Sequence, residues 1–123
     1  MNWKFTADRP VYQQIMEAVR GSVLKGELEP GQKVPSVRDL ATQAKVNPNT
    51  MQRALTELER EGLLVGGGTS GRTVTTDERI LGAMRKSTLE ELAKECAEKF
   101  IVFGVTPTQA ARLLLALDGE KEE

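Results

Sequence analysis

The chain has 123 residues, 39% hydrophobic and 28% charged, with a formal net charge of −1. That balance belongs to a folded globular protein of one domain, or one small domain with an appendage, and not to a disordered chain. With no histidine and a single cysteine, the chain lacks the commonest general base and the commonest zinc ligand, and it cannot form an intrachain disulfide.

No apolar run approaches the ~18 residues of a membrane span. The opening MNWKFTADRP lacks the basic-then-apolar order of a signal peptide, so a cytoplasmic location is expected. Charge is unevenly spread: ten Lys/Arg against eight Asp/Glu over residues 1–76, and seven against ten over 77–123. The asymmetry is small, because phosphate binding depends on cations gathered on one face and not on a domain total.

Trp3 and Phe5 alternate with polar residues, enough for a short strand or an anchored arm. Pro10 opens a helix whose apolar stripe is Val11, Ile15, Val19 and Val23, helped by Tyr12 and Met16. The pattern stops at Lys25-Gly26, a glycine cap. A turn-rich connector around Pro30-Gly31 follows. Ser36 with Asp39 three residues on resembles a capping box, and Val37, Leu40, Ala41 and Ala44 mark a short second helix. A third begins at Asn47-Pro48, since Asn is a leading N-cap and proline suits the first helical position. Met51, Ala54, Leu55 and Leu58 form its buried face, and Gly62 closes it.

Leu63–Val65 and Thr73–Thr75 read as strands flanking a glycine-rich hairpin, Gly66 to Arg72. A long amphipathic helix is expected over 77–103, with Leu81, Met84, Leu92, Cys96, Phe100 and Phe103 among its apolar positions. Gly104 ends it, and Thr106-Pro107 starts a last helix carrying Ala110, Leu113, Leu114 and Leu117. The fold expected is mainly α with a small β-wing: a winged helix-turn-helix over 1–76, then a short two-helix region over 77–123.

Two short helices joined by a tight turn, after a longer one, have the layout of a helix-turn-helix. Its third helix would enter the major groove with its first turn leading. Asn47, Asn49 and Thr50 lie there, and Gln52 and Arg53 extend the polar face. Asn can pair bidentately with adenine, and Thr offers a hydroxyl and a methyl. Arg38, early in the second helix, is placed to reach a phosphate or the groove edge.

The stretch Gly26-Glu-Leu-Glu-Pro-Gly-Gln-Lys-Val-Pro-Ser-Val-Arg-Asp-Leu-Ala41 resembles the signature of the GntR family of transcription regulators. Val46-Asn-Pro-Asn-Thr-Met-Gln-Arg-Ala54 followed by Leu58-Glu-Arg-Glu-Gly62 resembles its YtrA-like branch, whose C-terminal region is short. The resemblance implies that Ser36 and Arg38 contact the DNA backbone. It further implies that Asn47, Asn49, Thr50, Gln52 and Arg53 read bases, and that Thr69, Ser70, Gly71 and Arg72 form the wing tip. Where the family often has Arg or Lys in the wing this chain has Gly67 and Gly68, and Pro48 and Gln52 stand where most relatives outside the branch have Arg. The operator sequence therefore does not carry over.

Gly66-Gly-Gly-Thr-Ser-Gly71 also satisfies G-x-G-x-x-G, the dinucleotide fingerprint. That motif needs a strand before and a helix after, so that pyrophosphate sits on the helix N-terminus. Here the β-prone Thr73-Val-Thr75 follows, so no cofactor is expected and the glycines suit a tight hairpin. Neither a metal site nor a catalytic set is evident.

The expected function is a non-enzymatic, sequence-specific transcription regulator, a repressor by resemblance and of an ABC-transporter operon. It would bind a double-stranded operator as a homodimer through the C-terminal helices, with no membrane partner; any small-molecule effector is unspecified. The alternative is a winged-helix protein-interaction module without DNA binding, which the glycine-rich wing and acidic total charge leave open. The residues after 76 are too few to enclose a drug-sized pocket, and their apolar stripe needs a cover, either the last helix folded back or a second chain.

Overall fold

The computed structural model describes residues 1–66 and 71–121. Among these are five helices and one hairpin: α1 (Val11–Leu24), α2 (Val37–Ala44), α3 (Pro48–Arg60), β1 (Leu64–Gly66), β2 (Arg72–Val74), α4 (Glu78–Ile101) and α5 (Pro107–Lys121). The chain divides into two compact units, Met1–Met84 and Arg85–Glu123.

The first unit is built on an apolar cluster. α1 contributes Ile15, Met16 and Val19, α2 contributes Leu40, Ala41 and Ala44, and α3 contributes Met51, Ala54, Leu55 and Leu58. Leu28 and Val34 close one side, and Leu63, Leu64 and Val74 bring the hairpin onto the same cluster. Each fully buried Ile, Leu or Met is worth roughly 1.5–3 kcal/mol of transfer energy, so three short helices can hold together without a disulfide. Leu81 and Met84, in the first turns of α4, also pack against this core.

Local signals place the ends of α1–α3. α1 stops where Gly26 takes a positive φ of 82° and Glu27 N–H bonds back to the Ser22 carbonyl at 2.9 Å. Ser36 caps α2, its hydroxyl accepting the Asp39 N–H at 3.1 Å. Asn47 caps α3, its side-chain oxygen accepting the Asn49 N–H at 2.7 Å, with Pro48 opening the helix. Such caps are worth about 1 kcal/mol each. Between them Lys45 is left-handed, φ 57°, and turns the chain sharply from one helix into the next.

β1 and β2 pair antiparallel, Leu64 opposite Val74 and Gly66 opposite Arg72. Both strands begin one residue away from the sequence expectation, because Leu63 belongs to the bend after α3 while Arg72 joins the ladder. Gly66 has φ 95°, and a Cβ there would lie 2.9 Å from the Gly71 carbonyl oxygen, so only glycine fits. A third segment completes the sheet: Gly31 N–H bonds to the Val74 carbonyl, Val74 N–H to that of Gln32, and Val34 N–H to that of Arg72 (2.8–2.9 Å). Lys33 is thus bridged to Thr73, and the connector read as a turn is also an edge of the wing.

Residues 1–10 form an arm and not a strand. Buried Gln14 holds it: its amide oxygen accepts the Thr6 N–H (2.8 Å), and its NH₂ donates to the carbonyls of Thr6 and Arg9 (2.9 Å each). Trp3 and Phe5, tilted rings 6.3 Å apart, pack against the core cluster.

In the second unit, α4 ends at Ile101, two residues before the expected Phe103, and the turn after it closes at Gly104 with φ 71°, whose N–H bonds to the Ile101 carbonyl at 2.9 Å. Thr106 and Gln109 cap α5 reciprocally, each side chain accepting the other's backbone N–H at 3.2 and 3.0 Å. Among its described residues only Ala110 is buried. Leu92, Ile101, Val102 and Phe103 are exposed, as are Leu113, Leu114, Leu115 and Leu117 (48–69%), so α5 leaves these apolar residues of α4 and the turn after it uncovered.

Candidate nucleic-acid interface

α3 is polar at one end and acidic at the other. Its first turn carries no carboxylate, and Asn47, Asn49, Gln52 and Arg53 are exposed while Thr50 is half-buried. Met51, Ala54 and Leu55 turn fully inward. The exposed face of the first two turns therefore consists of amides, one hydroxyl and one guanidinium, on the electropositive end of the helix. The Asn47 cap takes its amide oxygen and leaves its NH₂ on the exposed face. Gln52 donates to Thr56 Oγ1 at 3.2 Å along the same face.

Arg53 does not hang free. Its guanidinium carbon lies 3.7 Å from the centre of the Tyr12 ring, a cation–π contact that ties the exposed polar face of α3 to the start of α1. Tyr12 looked like a stripe residue in the sequence, and nothing local pointed to this pairing.

All three acids of the α3 end are neutralised. Glu57 pairs with Arg60 at 2.8 Å, Glu61 with Arg20 through both oxygens at 2.6 and 2.7 Å, and Glu59 with Arg72. By contrast Lys33, Arg38 and Lys45 are exposed and form no ion pair among the described residues. Arg38 and Ser36 lie at the start of α2, Lys45 in the turn into α3, and Lys33 on the wing edge. The near-zero net charge thus conceals unpaired cations on α2, the turn and the wing, and spent ones at the far end of α3.

Of the expected wing residues, Thr69 and Ser70 lie outside the described residues. Gly71, just before β2, has φ 81°, and a Cβ there would approach Lys33 Cε at 3.3 Å. Arg72 is turned to Glu59, its side chain 14% exposed. Lys33 is a wing cation that sequence reasoning passed over.

Residues 11–74 match the family of bacterial regulatory proteins called the gntR family. The chain belongs to the GntR family. It is 35% identical over 101 residues to YhcF of Bacillus subtilis, an uncharacterized HTH-type transcriptional regulator, covering 82% of this chain and 80% of that one. To the B. subtilis HTH-type transcriptional repressor YtrA it is 51% identical over 55 residues, 45% of this chain and 42% of YtrA. Among solved structures, a GntR family transcriptional regulator from Listeria monocytogenes superposes with a TM-score of 0.81 at 28% identity, over 91% of this chain and 98% of that one. The AraR DNA-binding domain, solved in complex with operator ORX1, does so with a TM-score of 0.56 at 26% identity, over 61% and 96%.

This GntR protein is therefore a DNA-binding transcription regulator and not an enzyme. The interaction-module alternative falls to the family match and to the operator-bound neighbour. No helix among the described residues is long and apolar enough to cross a membrane.

Proposed function

We propose that the protein is a cytoplasmic homodimeric repressor, and that the first two turns of α3 read the operator in the major groove. The carrying observation is the division of charge along α3: an acid-free exposed face at its N-terminal end, and acids confined to the far end where each has an arginine. Asn47, Asn49, Thr50, Gln52 and Arg53 supply base contacts. Ser36 and Arg38 hold the flanking phosphates, and the wing, with Thr69, Ser70 and Gly71, faces the DNA backbone. Residues 1–76 serve as the DNA-binding domain and 77–123 as the dimerisation region. By its likeness to the YtrA-like branch, the operon controlled is one for an ABC-type transporter.

Dimerisation is supported by the exposed apolar residues of the second unit, of which Phe103 is 83% exposed. A reading helix spans only a few base pairs, so specificity for a long site calls for two of them. Because a two-fold dimer presents both helices symmetrically, its site is an inverted repeat. The test is selection of duplexes from a random pool by the wild-type protein, followed by sequencing. Enrichment of an inverted repeat is expected, and recovery of unenriched sequence would contradict the reading.

A further inference from the structure

Arg72 and Lys33 sit on neighbouring segments of the wing in different circumstances. Arg72 lies in β2 with its carbonyl accepting the Val34 N–H at 2.9 Å and its guanidinium paired with Glu59 near the end of α3. The side chains are 14% and 28% exposed, so the arginine is largely enclosed and its partner sits on the reading helix itself. Freeing Arg72 to meet a phosphate would leave the Glu59 carboxylate unpaired near a polyanion, which opposes binding twice over. Lys33 is exposed and bridged to Thr73, and its side chain passes beside Gly71. It has no acidic partner among the described residues.

Resting on the DNA-binding reading above, we propose that Lys33 is the phosphate-contacting cation of the wing and that Arg72 is a positioning residue. Through Glu59, Arg72 latches β2 to α3. Because the 31–34 segment hydrogen-bonds to β2, the latch sets where Lys33 stands relative to the reading helix. Wing and reader then dock as one piece, with Lys33 supplying the wing's cation.

The test uses the full chain and a duplex that the wild-type protein has selected from a random pool, titrated over a range of salt. Lys33→Ala is expected to lower the slope of log K against log [salt] by about 0.9 per protomer, one phosphate contact. Arg72→Glu is expected to weaken binding by about tenfold or more, since two carboxylates then face each other. Adding Glu59→Arg rebuilds the pair in reverse at the wild-type net charge, and should bring affinity back to within about threefold. Thermal melts of each variant report whether the fold holds. If Arg72→Glu unfolds the protein, Glu59→Gln replaces it: the latch requires weaker binding with an unchanged slope. The inference is overturned if Lys33→Ala keeps the wild-type slope, if the reversed pair binds no better than Arg72→Glu, or if Glu59→Gln binds more tightly. A wild-type protein that selects no duplex overturns the parent reading, and the inference with it.

Discussion

Removing the Tyr12 ring should weaken operator binding only through Arg53. The guanidinium carbon of Arg53 stands 3.7 Å from the ring centre, on an exposed side chain of α3. A cation–π contact at such a site is worth about 0.5–1 kcal/mol, and it holds the guanidinium near one orientation before DNA arrives. A base contact by Arg is worth about 1–3 kcal/mol. Arg53→Ala should therefore weaken binding to a selected operator by about 5- to 150-fold. Tyr12→Leu keeps an apolar body against the core, and should weaken binding by no more than about fivefold. Fluorescence anisotropy on wild type, both single variants and the double variant closes the cycle. In the Arg53→Ala background Tyr12→Leu should do almost nothing, because the group it orients is gone. Full additivity, or equal binding by Arg53→Ala and wild type, would mean that Tyr12 does not act through Arg53.

Other outcomes follow from the same structure. Asn49→Ala should weaken binding to the selected operator by about 1–3 kcal/mol with an unchanged melting temperature, whereas Arg38→Ala should weaken binding to every duplex and flatten its salt dependence; binding isotherms on specific and scrambled DNA separate the two. Leu55→Ala, at a fully buried position of α3, should instead cost roughly 2–5 kcal/mol of folding stability in urea denaturation. Gly66→Ala places a Cβ 2.9 Å from a backbone oxygen at φ 95°. It should cost on the order of 1–3 kcal/mol, by denaturation, and weaken DNA binding as the hairpin shifts. Phe103→Asp should leave the first unit folded by circular dichroism yet shift the protein from dimer to monomer in sedimentation; a variant that stays dimeric would move the interface elsewhere.

The helices were legible because their signals are local. Apolar residues three and four apart marked α1 and α3, and Ser36, Asn47-Pro48, Gly26 and Gly104 marked their ends or those of their neighbours through caps that involve only a few adjacent residues. The hairpin was legible to within one residue, since a strand of three residues offers too little alternation to set its register. What escaped the sequence depends on distant partners. The 31–34 segment was hidden behind Pro30-Gly31, a strong turn signal, and becomes a sheet edge only when β2 lies beside it. Gln14 carries no local signal, because its burial depends on the arm that folds over it. Arg72 looked like a wing cation because nothing near it in the chain revealed Glu59, thirteen residues back on another element. Net charge misled for the same reason: which cations remain unpaired is decided by tertiary contacts.

Hydroxyl-radical footprinting on a duplex the protein has itself selected shows whether α3 reads a symmetric operator as one of a pair. Two protected half-sites related by inversion are expected, with centres spaced by one helical turn of about 10–10.5 bp or a multiple of it, and both filling in one step. Uniform, unphased protection, with scrambled DNA bound as tightly as the selected duplex, would contradict that reading.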